Sequence, residues 1–352
     1  MEASNDAVDG PRGRVLCCRP GSEEHLVREA QDSGVIATVA GPGLVLVSAQ
    51  EVASESARPA GGWAFADADL GGAMEVGGAS VNAHAAALAE WFGESVRGEA
   101  VAASWPCVFT AAGDEPGLAR RAAAVERAFA EQLKRRLGRL ARLATPQRPV
   151  GRGPARGLFV VFTGFDRALV AREAWLGGQR RMADDAQAPS RSYLKVEEAY
   201  GLLGSAPQPG QTVCDLGAAP GGWTWSAAKR GARVTAVDNG PLKGGALDHP
   251  LVEHLHQDAF AYRPREGQVC DWLFCDLVEE PHHVLRGVVE PWLAGRWCRR
   301  FVVNLKFGRT DPPALLRELR APGSALARHA GGAVIAVLHH NRDEFTVAGT
   351  RT

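Results

Sequence analysis

The sequence predicts an α/β protein in two parts, an α+β region over residues 1–180 and an open, doubly wound sheet over residues 181–352. Three observations carry this reading. The stretch 212–239, TVCDLGAAPGGWTWSAAKRGARVTAVDN, runs apolar segment, Gly/Pro-rich turn, helical segment, apolar segment, the strand-turn-helix-strand unit that opens a parallel sheet. From Pro189 onward such apolar runs alternate regularly with helical stretches. Before Pro189, strands and helices mix without a parallel βαβ rhythm.

Taken in order, residues 14–18 form a short apolar run, 23–32 a helix, and 35–48 two short strands around the Gly-Pro-Gly at 41–43. From 60 to 78 glycine and aspartate interrupt every period, and no element is assigned. A helix over 82–92 and strand-like stretches within 99–110 follow. Residues 118–143 read as one helix, with Leu133, Leu137, Leu140 and Ala141 on its apolar stripe and arginines opposite. Pro146, Pro149, Gly151, Gly153 and Pro154 end it. Strands at 158–163 and 168–175 close the first part. In the second, a helix over 192–203 leads into the 212–239 unit. Strands then fit 252–256, 269–276, 301–306, 333–339 and 345–348, and helices fit 281–293 and 312–319.

The chain has 352 residues, 45% hydrophobic and 23% charged, with no apolar run long enough to span a bilayer. Its polar start, MEASNDAVDGPRGR, lacks an apolar signal core, so a cytoplasmic location is expected. Seven cysteines show neither CxxC pairs nor a disulfide framework, which suits reduced, buried thiols. Forty basic and forty acidic residues cancel, so any binding to a polyanion must use a patch. One candidate patch exists. Between Arg120 and Arg156 eleven Lys or Arg face two acids, Glu126 and Glu131, enough to track a phosphate backbone, or else a solvated helix face.

The turn at 217–222 is poor in charge. It lacks GxxxxGK[ST] and any basic side chain for a polyphosphate, and Ala219 with Pro220 breaks a dinucleotide fingerprint. Such a turn, with an acid at Asp238 one strand later to meet ribose hydroxyls, suits a cofactor built of adenosine and an amino-acid tail, S-adenosylmethionine. Four charged residues lie at element ends: Lys195 before the first strand, Asp276 after DWLFC, Lys306 ending FVVNLK and Glu344 opening EFTVAG. Carboxyl ends of strands converge on one rim in a doubly wound sheet, so Asp276 and Lys306 are expected to face the cofactor's reactive end together. A lysine can take a hydroxyl proton only when neutral. Lys195 and desolvation would lower the pKa of Lys306, whereas Asp276 and Glu344 would raise it, and sequence leaves the net sign open. Adjacent histidine pairs, His282 with His283 and His339 with His340, lack ligand spacing, so no metal is expected.

Read together, LCCRPGSEEHL, APSRSYLKVEEA, DLGAAPGGWT, VDNGPL, QDAFAYRP, CDLVEEP, WCRRFVVNLK and NRDEFTV resemble the bacterial 23S rRNA 2′-O-ribose methyltransferases that modify a cytidine of the peptidyl-transferase region. The resemblance is nearly continuous from Pro189 to Val347 and thinner before it, resting there on the turn from Cys18 to Gly21. It implies a Rossmann-like class I methyltransferase domain behind an N-terminal THUMP-type RNA-binding domain. It further implies a tetrad of Lys195, Asp276, Lys306 and Glu344 with Lys306 as proton acceptor, and a cofactor site lined by Ser190, Ala219, Pro220, Gly221, Gly222, Asp238, Asp258 and Asp276. Asp258, taken as the end of the third strand, would accept from the adenine amino group. Trp223 is expected to pack at the helix start, with a stacking role as its alternative, and Ser190 and Ser192 have a helix cap as the competing role. The partner implied is free or precursor 23S rRNA, met by a monomer.

Rival chemistries fit less well. An amide or base N-methyltransferase calls for a [DN]PP[YF] motif after the fourth strand, where this chain has CysAspLeu at 275–277; its AspProPro at 311–313 reads as a helix start. A cytosine C5 enzyme needs a nucleophilic cysteine, yet strand alternation points Cys275 away from Asp276. A non-catalytic RNA-binding protein on the same scaffold would have no need of two lysines and two acids at strand ends. Methylation of another RNA, or of a small molecule, is separable by substrate dependence.

Overall fold

The computed structural model describes residues 13–48, 58–59 and 61–352. The chain divides into two compact units. One comprises Met1–Pro59 with Phe65–Gly177, the other Ala60–Ala64 with Gly178–Thr352.

In the first unit the order is β1 (Gly13–Cys18), α1 (Glu23–Asp32), β2 (Ala37–Gly41), β3 (Leu44–Val47), β4 (Ala66–Gly77), α2 (Val81–Ser95), β5 (Trp105–Ala111), α3 (Leu118–Arg136), α4 (Gly138–Leu143), β6 (Ala144–Thr145), β7 (Gly153–Phe162) and β8 (Arg167–Leu176). They build one sheet, β2-β3-β1-β4-β8-β7-β5-β6. α3 is helical because Leu118, Ala122, Val125, Phe129 and Leu133 recur on one buried stripe.

Three expectations change here. The unassigned stretch contains β4, a twelve-residue strand. Its Asp69 is buried but held by Arg14 at 2.6 Å, so a charge that reads as loop sits inside the sheet. The single helix over 118–143 is two, broken at Leu137, whose φ of −139° and ψ of 56° are not helical. No residue of α4 is fully buried, yet Leu137, Leu140 and Ala141 still pack, half-buried, against the core that Leu118, Ala122, Val125, Phe129 and Leu133 enter, so the apolar stripe continues across the break. The expected lack of a parallel βαβ rhythm gives way at β5, which runs parallel to β7 with α3 in the crossover, while β1, β2, β3, β4, β7 and β8 pair antiparallel among themselves.

The second unit contains α5 (Tyr193–Leu203), β9 (Thr212–Leu216), α6 (Gly222–Ala228), β10 (Arg233–Val237), β11 (Val252–Leu255), β12 (Cys270–Cys275), α7 (Pro281–Val284), α8 (Glu290–Ala294), β13 (Cys298–Lys306), α9 (Pro312–Arg320), α10 (Ala325–His329), β14 (Val334–Ala336) and β15 (Glu344–Thr350). A π-helical turn, Leu285–Val289, joins α7 to α8. The sheet order is β11-β10-β9-β12-β13-β15-β14. β9 pairs in parallel with both β10 and β12, so the order reverses at β9, the place where open α/β sheets leave a ligand crevice. β15 is antiparallel to β13 and β14. Its first residue therefore lies at the carboxyl-end rim of its neighbours, and Glu344 pairs in register with Lys306. Val213, Cys214, Leu273, Phe274, Val302 and Val303 are all buried, which is why these strands read as continuous apolar runs.

Candidate active site

Four charged side chains meet at this rim. Lys195, on the first turns of α5, places Nζ 2.7 Å from Glu344 Oε1 and 3.5 Å from Asp276 Oδ2. Lys306 Nζ donates to Asp276 Oδ1 at 2.6 Å and also to Glu344 Oε2. Each lysine thus touches both acids in a closed ring of alternating charge. Glu344 is 2% exposed and Lys306 is 22% exposed, with Lys195 and Asp276 in between, so the ring opens toward solvent at Lys306.

Burial by itself lowers the pKa of Lys306, but the Asp276 and Glu344 carboxylates outweigh it and hold the amine above the ordinary lysine value. That settles upward the sign that sequence left open. Burial likewise pushes the Glu344 carboxyl up, and the Lys306 and Lys195 charges override it to leave the group below its ordinary value. In this arrangement Lys306 rests as an ammonium.

The cofactor-type residues lie on the same carboxyl-end side. Asp238 follows β10 directly and is turned back on the glycine-rich loop, with Oδ2 accepting from the Ala219 amide at 3.0 Å and Oδ1 from the Gly240 amide at 2.7 Å. Gly221 has φ of 107°, in the left-handed region, and precedes α6. A Cβ there would come within 2.6 Å of Ala246 Cβ. A Cβ on Gly222 would meet Ser192 Oγ at 2.6 Å and Ser190 Oγ at 2.8 Å, so the turn packs flush against the loop carrying Ser190. Pro220 follows a cis peptide, and its carbonyl accepts from the Lys243 amide at 2.9 Å.

Ser190 and Ser192 hydrogen-bond each other at 2.7 Å, and Ser192 makes no side-chain cap on α5, so the capping role does not occur. Trp223 is 2% exposed, its indole donating to the Ser192 carbonyl at 2.9 Å and its ring edge-on to Phe274. Asp258 stands apart. β11 ends at Leu255, and Asp258 lies three residues beyond, exposed, with Oδ1 accepting from the Phe260 amide at 2.9 Å. It shares no hydrogen bond with the other site residues.

A carboxylate beside a loop without basic side chains fits a nucleoside whose hydroxyls donate, and does not fit a polyphosphate. The residues present therefore suit S-adenosylmethionine. Cys275 is fully buried, and burial pushes its thiol up to about 12, which removes it as a nucleophile. Among the described residues no group of three His, Cys, Asp or Glu stands close enough to hold a metal ion, and none of the helices is long and apolar enough to cross a membrane.

Sequence reasoning missed the buried polar residues behind the ring. Asn304 Nδ2 donates to Asp276 Oδ1 at 2.9 Å, and Thr346 Oγ1 donates to Asn304 Oδ1 at 2.6 Å. The available signal was an asparagine and a threonine inside otherwise apolar strands, each one turn of the pleat away from a charged strand end.

An FtsJ-like methyltransferase profile matches residues 188–290. The ribosomal RNA large subunit methyltransferase M of Halorhodospira halophila (strain DSM 244 / SL1) is 37% identical over 264 residues, covering 73% of this chain and 76% of that one. The protein of the same name from Alkalilimnicola ehrlichii (strain ATCC BAA-1101 / DSM 17681 / MLHE-1) is 43% identical over 183 residues, half of each chain (50% and 50%). That of Laribacter hongkongensis (strain HLHK9) is 40% identical over 221 residues, 58% of this chain and 62% of the relative.

Proposed function

The chain belongs to the ribosomal RNA large subunit methyltransferase M family, and we propose that it methylates a ribose 2′-hydroxyl of 23S rRNA, at a cytidine of the peptidyl-transferase region, using S-adenosylmethionine. The observation that carries this reading is the closed ring of Lys195, Asp276, Lys306 and Glu344 at the carboxyl-end rim, beside a loop suited to a nucleoside.

Bound S-adenosylmethionine supplies an electrophilic methyl group, so the protein's task is to hold a weak nucleophile in line and remove its proton. Asp238 would hold the cofactor ribose, the backbone from Ala219 to Gly222 would carry its amino-acid tail, Ser190 would close that wall, and Asp258 would accept from its adenine. Lys306 is the proton acceptor for the target hydroxyl. Because its two carboxylate partners raise its pKa, only a minor fraction is neutral near pH 7, and that fraction does the work. Lys195 keeps Asp276 and Glu344 from collapsing onto Lys306 alone. Most of the acceleration comes from holding hydroxyl and methyl about 3 Å apart and in line.

Residues 1–180 act as a THUMP-type platform for the RNA and 181–352 as the transferring domain, with a monomer acting on free or precursor rRNA. The exposed Arg127, Arg135, Arg136, Arg139 and Arg142 of α3 and α4 support that division. The test is transfer of labelled methyl from S-adenosylmethionine to unmodified 23S rRNA, mapped by 2′-O-sensitive reverse transcription. A single ribose mark that disappears with Lys306→Ala, while the variant still binds S-adenosylmethionine, is the expected result. A Lys306→Ala protein that transfers at the wild-type rate would mean that the base is misassigned.

A further inference from the structure

Behind the charged ring lies a chain of three buried polar residues that no step above uses. Asn304, Thr346 and Asn341 are 0%, 1% and 4% exposed. Thr346 Oγ1 stands 2.6 Å from Asn304 Oδ1, 3.2 Å from Asn341 Oδ1 and 3.0 Å from Asn341 Nδ2. A hydroxyl has one proton. Given to the nearer oxygen, that of Asn304, it leaves the Thr346 oxygen to accept from the Asn341 amide. That amide also donates to the Glu344 carbonyl at 3.2 Å. The direction is then fixed along the whole chain, from Asn341 to Thr346 to Asn304. Only the NH2 end of Asn304 remains to face Asp276, and it donates to Oδ1 at 2.9 Å, the oxygen that also accepts from Lys306 at 2.6 Å. Both ends of the Asn304 amide are thereby assigned, since a flipped amide would set its oxygen against a carboxylate and its NH2 against a hydroxyl proton.

We propose that Asn304, oriented by Thr346 and Asn341, is a positioning residue for the transfer, fixing the rotation of the Asp276 carboxylate and relieving part of its hold on the Lys306 proton. The inference rests on the ribose methyltransferase reading. Asp276 Oδ1 divides its negative charge between the Asn304 amide and the Lys306 ammonium. Every donor that shares the oxygen weakens its pull on the other, so Asn304 works against the direction in which the two acids push Lys306. Two apolar residues of similar shape would fill the same strand positions without buried polar atoms to satisfy, and a structural role alone does not require a donor aimed at Asp276.

The experiment compares wild type with Thr346→Val, which keeps the shape and removes the hydroxyl, and with Thr346→Ser, which restores it. Asn341→Ala, cutting the chain at its far end outside the strands, serves if Thr346→Val does not fold, as judged by thermal melting. With S-adenosylmethionine and a 23S rRNA transcript, Thr346→Val is expected to lower kcat at neutral pH on the order of tenfold to a hundredfold. The KM for RNA stays the same, and the rising limb of the pH profile moves to higher pH. Thr346→Ser returns both to wild type. A second readout needs no turnover. In the free protein, 13C NMR of the lysine side chains, with the Lys306 signal identified by its loss in Lys306→Arg, is expected to show Lys306 titrating at higher pH in Thr346→Val. An unchanged Lys306 titration and an unshifted pH profile overturn the proposal. If the wild type transfers no methyl, the methyltransferase reading falls while the NMR titration still decides the role of the Asn304 chain.

Discussion

At the scale of single residues, opposing electrical environments are packed into one rim, and each has a pH signature. Lys306 has its folded pKa above the unfolded value, so its contribution to stability is whole below about pH 10.4 and is lost as pH rises through the folded value. With Lys306 as the proposed proton acceptor, turnover is expected to rise with pH across the neutral range, which a kcat profile from pH 6 to 10 checks. Glu344 is the mirror case. Its depressed pKa gives stability that is present above about pH 4.3 and lost as pH falls through the folded value. Glu344→Gln is therefore expected to flatten the acid limb of the urea midpoint against pH. Asp215, 1% exposed, differs again: burial lifts its carboxyl to about 7, against the Thr224 hydroxyl donating at 2.6 Å, with the Asp276 and Asp238 charges adding to the rise. The folded protein then holds a proton that the unfolded chain has lost, and stability falls as pH rises from about 4 to 7. Asp215→Asn should remove that fall, a difference on the order of a few kcal/mol, read from melting temperatures across that window.

Among elements, the turn between β9 and α6 is the most constrained. Gly221 combines a left-handed backbone with a neighbour 2.6 Å from any added Cβ, so both conformation and space forbid a side chain. Gly221→Ala is expected to cost about 1–3 kcal/mol in urea unfolding and to weaken S-adenosylmethionine binding by calorimetry. Gly204, at the C-cap of α5, is also left-handed (φ 63°) but has nothing within 4 Å of an added Cβ, so Gly204→Ala should cost less and leave cofactor affinity alone. Legibility also varies by element. β9, β10, β12 and β13 were readable because strands buried on both faces are written as apolar runs. β4 was not, because its Asp69 is neutralised by Arg14 and Arg58 from other segments, and no local pattern announces such a partner. The break at Leu137 was hidden because Leu140 and Ala141 sit in the next helix, α4, and pack on the same core as α3, so the apolar spacing runs on across the interruption.

For the whole molecule, zero formal net charge means that any hold on RNA comes from local clusters. In the first unit Arg135, Arg136, Arg139 and Arg142 are exposed, while Lys134 pairs with Glu131 at 2.7 Å. Reversing Arg135, Arg139 and Arg142 to Glu together is expected to weaken RNA binding across sequences and to reduce the salt slope of log affinity by about three or more. The kcat at saturating RNA and the affinity for S-adenosylmethionine stay as they are. Unchanged affinity and slope in filter binding from low to moderate salt would place the RNA on another surface.

By itself the sequence determined the doubly wound half, the glycine-rich turn after β9 and the four charged residues that meet at the rim, because each is written locally as an apolar run, a glycine pattern or a charge near an element end. Only the tertiary structure decided that β15 runs backwards between β13 and β14 and so brings Glu344 level with Lys306. It also decided the sign of the Lys306 shift, which depends on two carboxylates 38 and 30 residues away reaching one amine. The Asn304–Thr346–Asn341 chain belongs to the same class, since a hydrogen bond between strands distant in sequence leaves no periodicity to read.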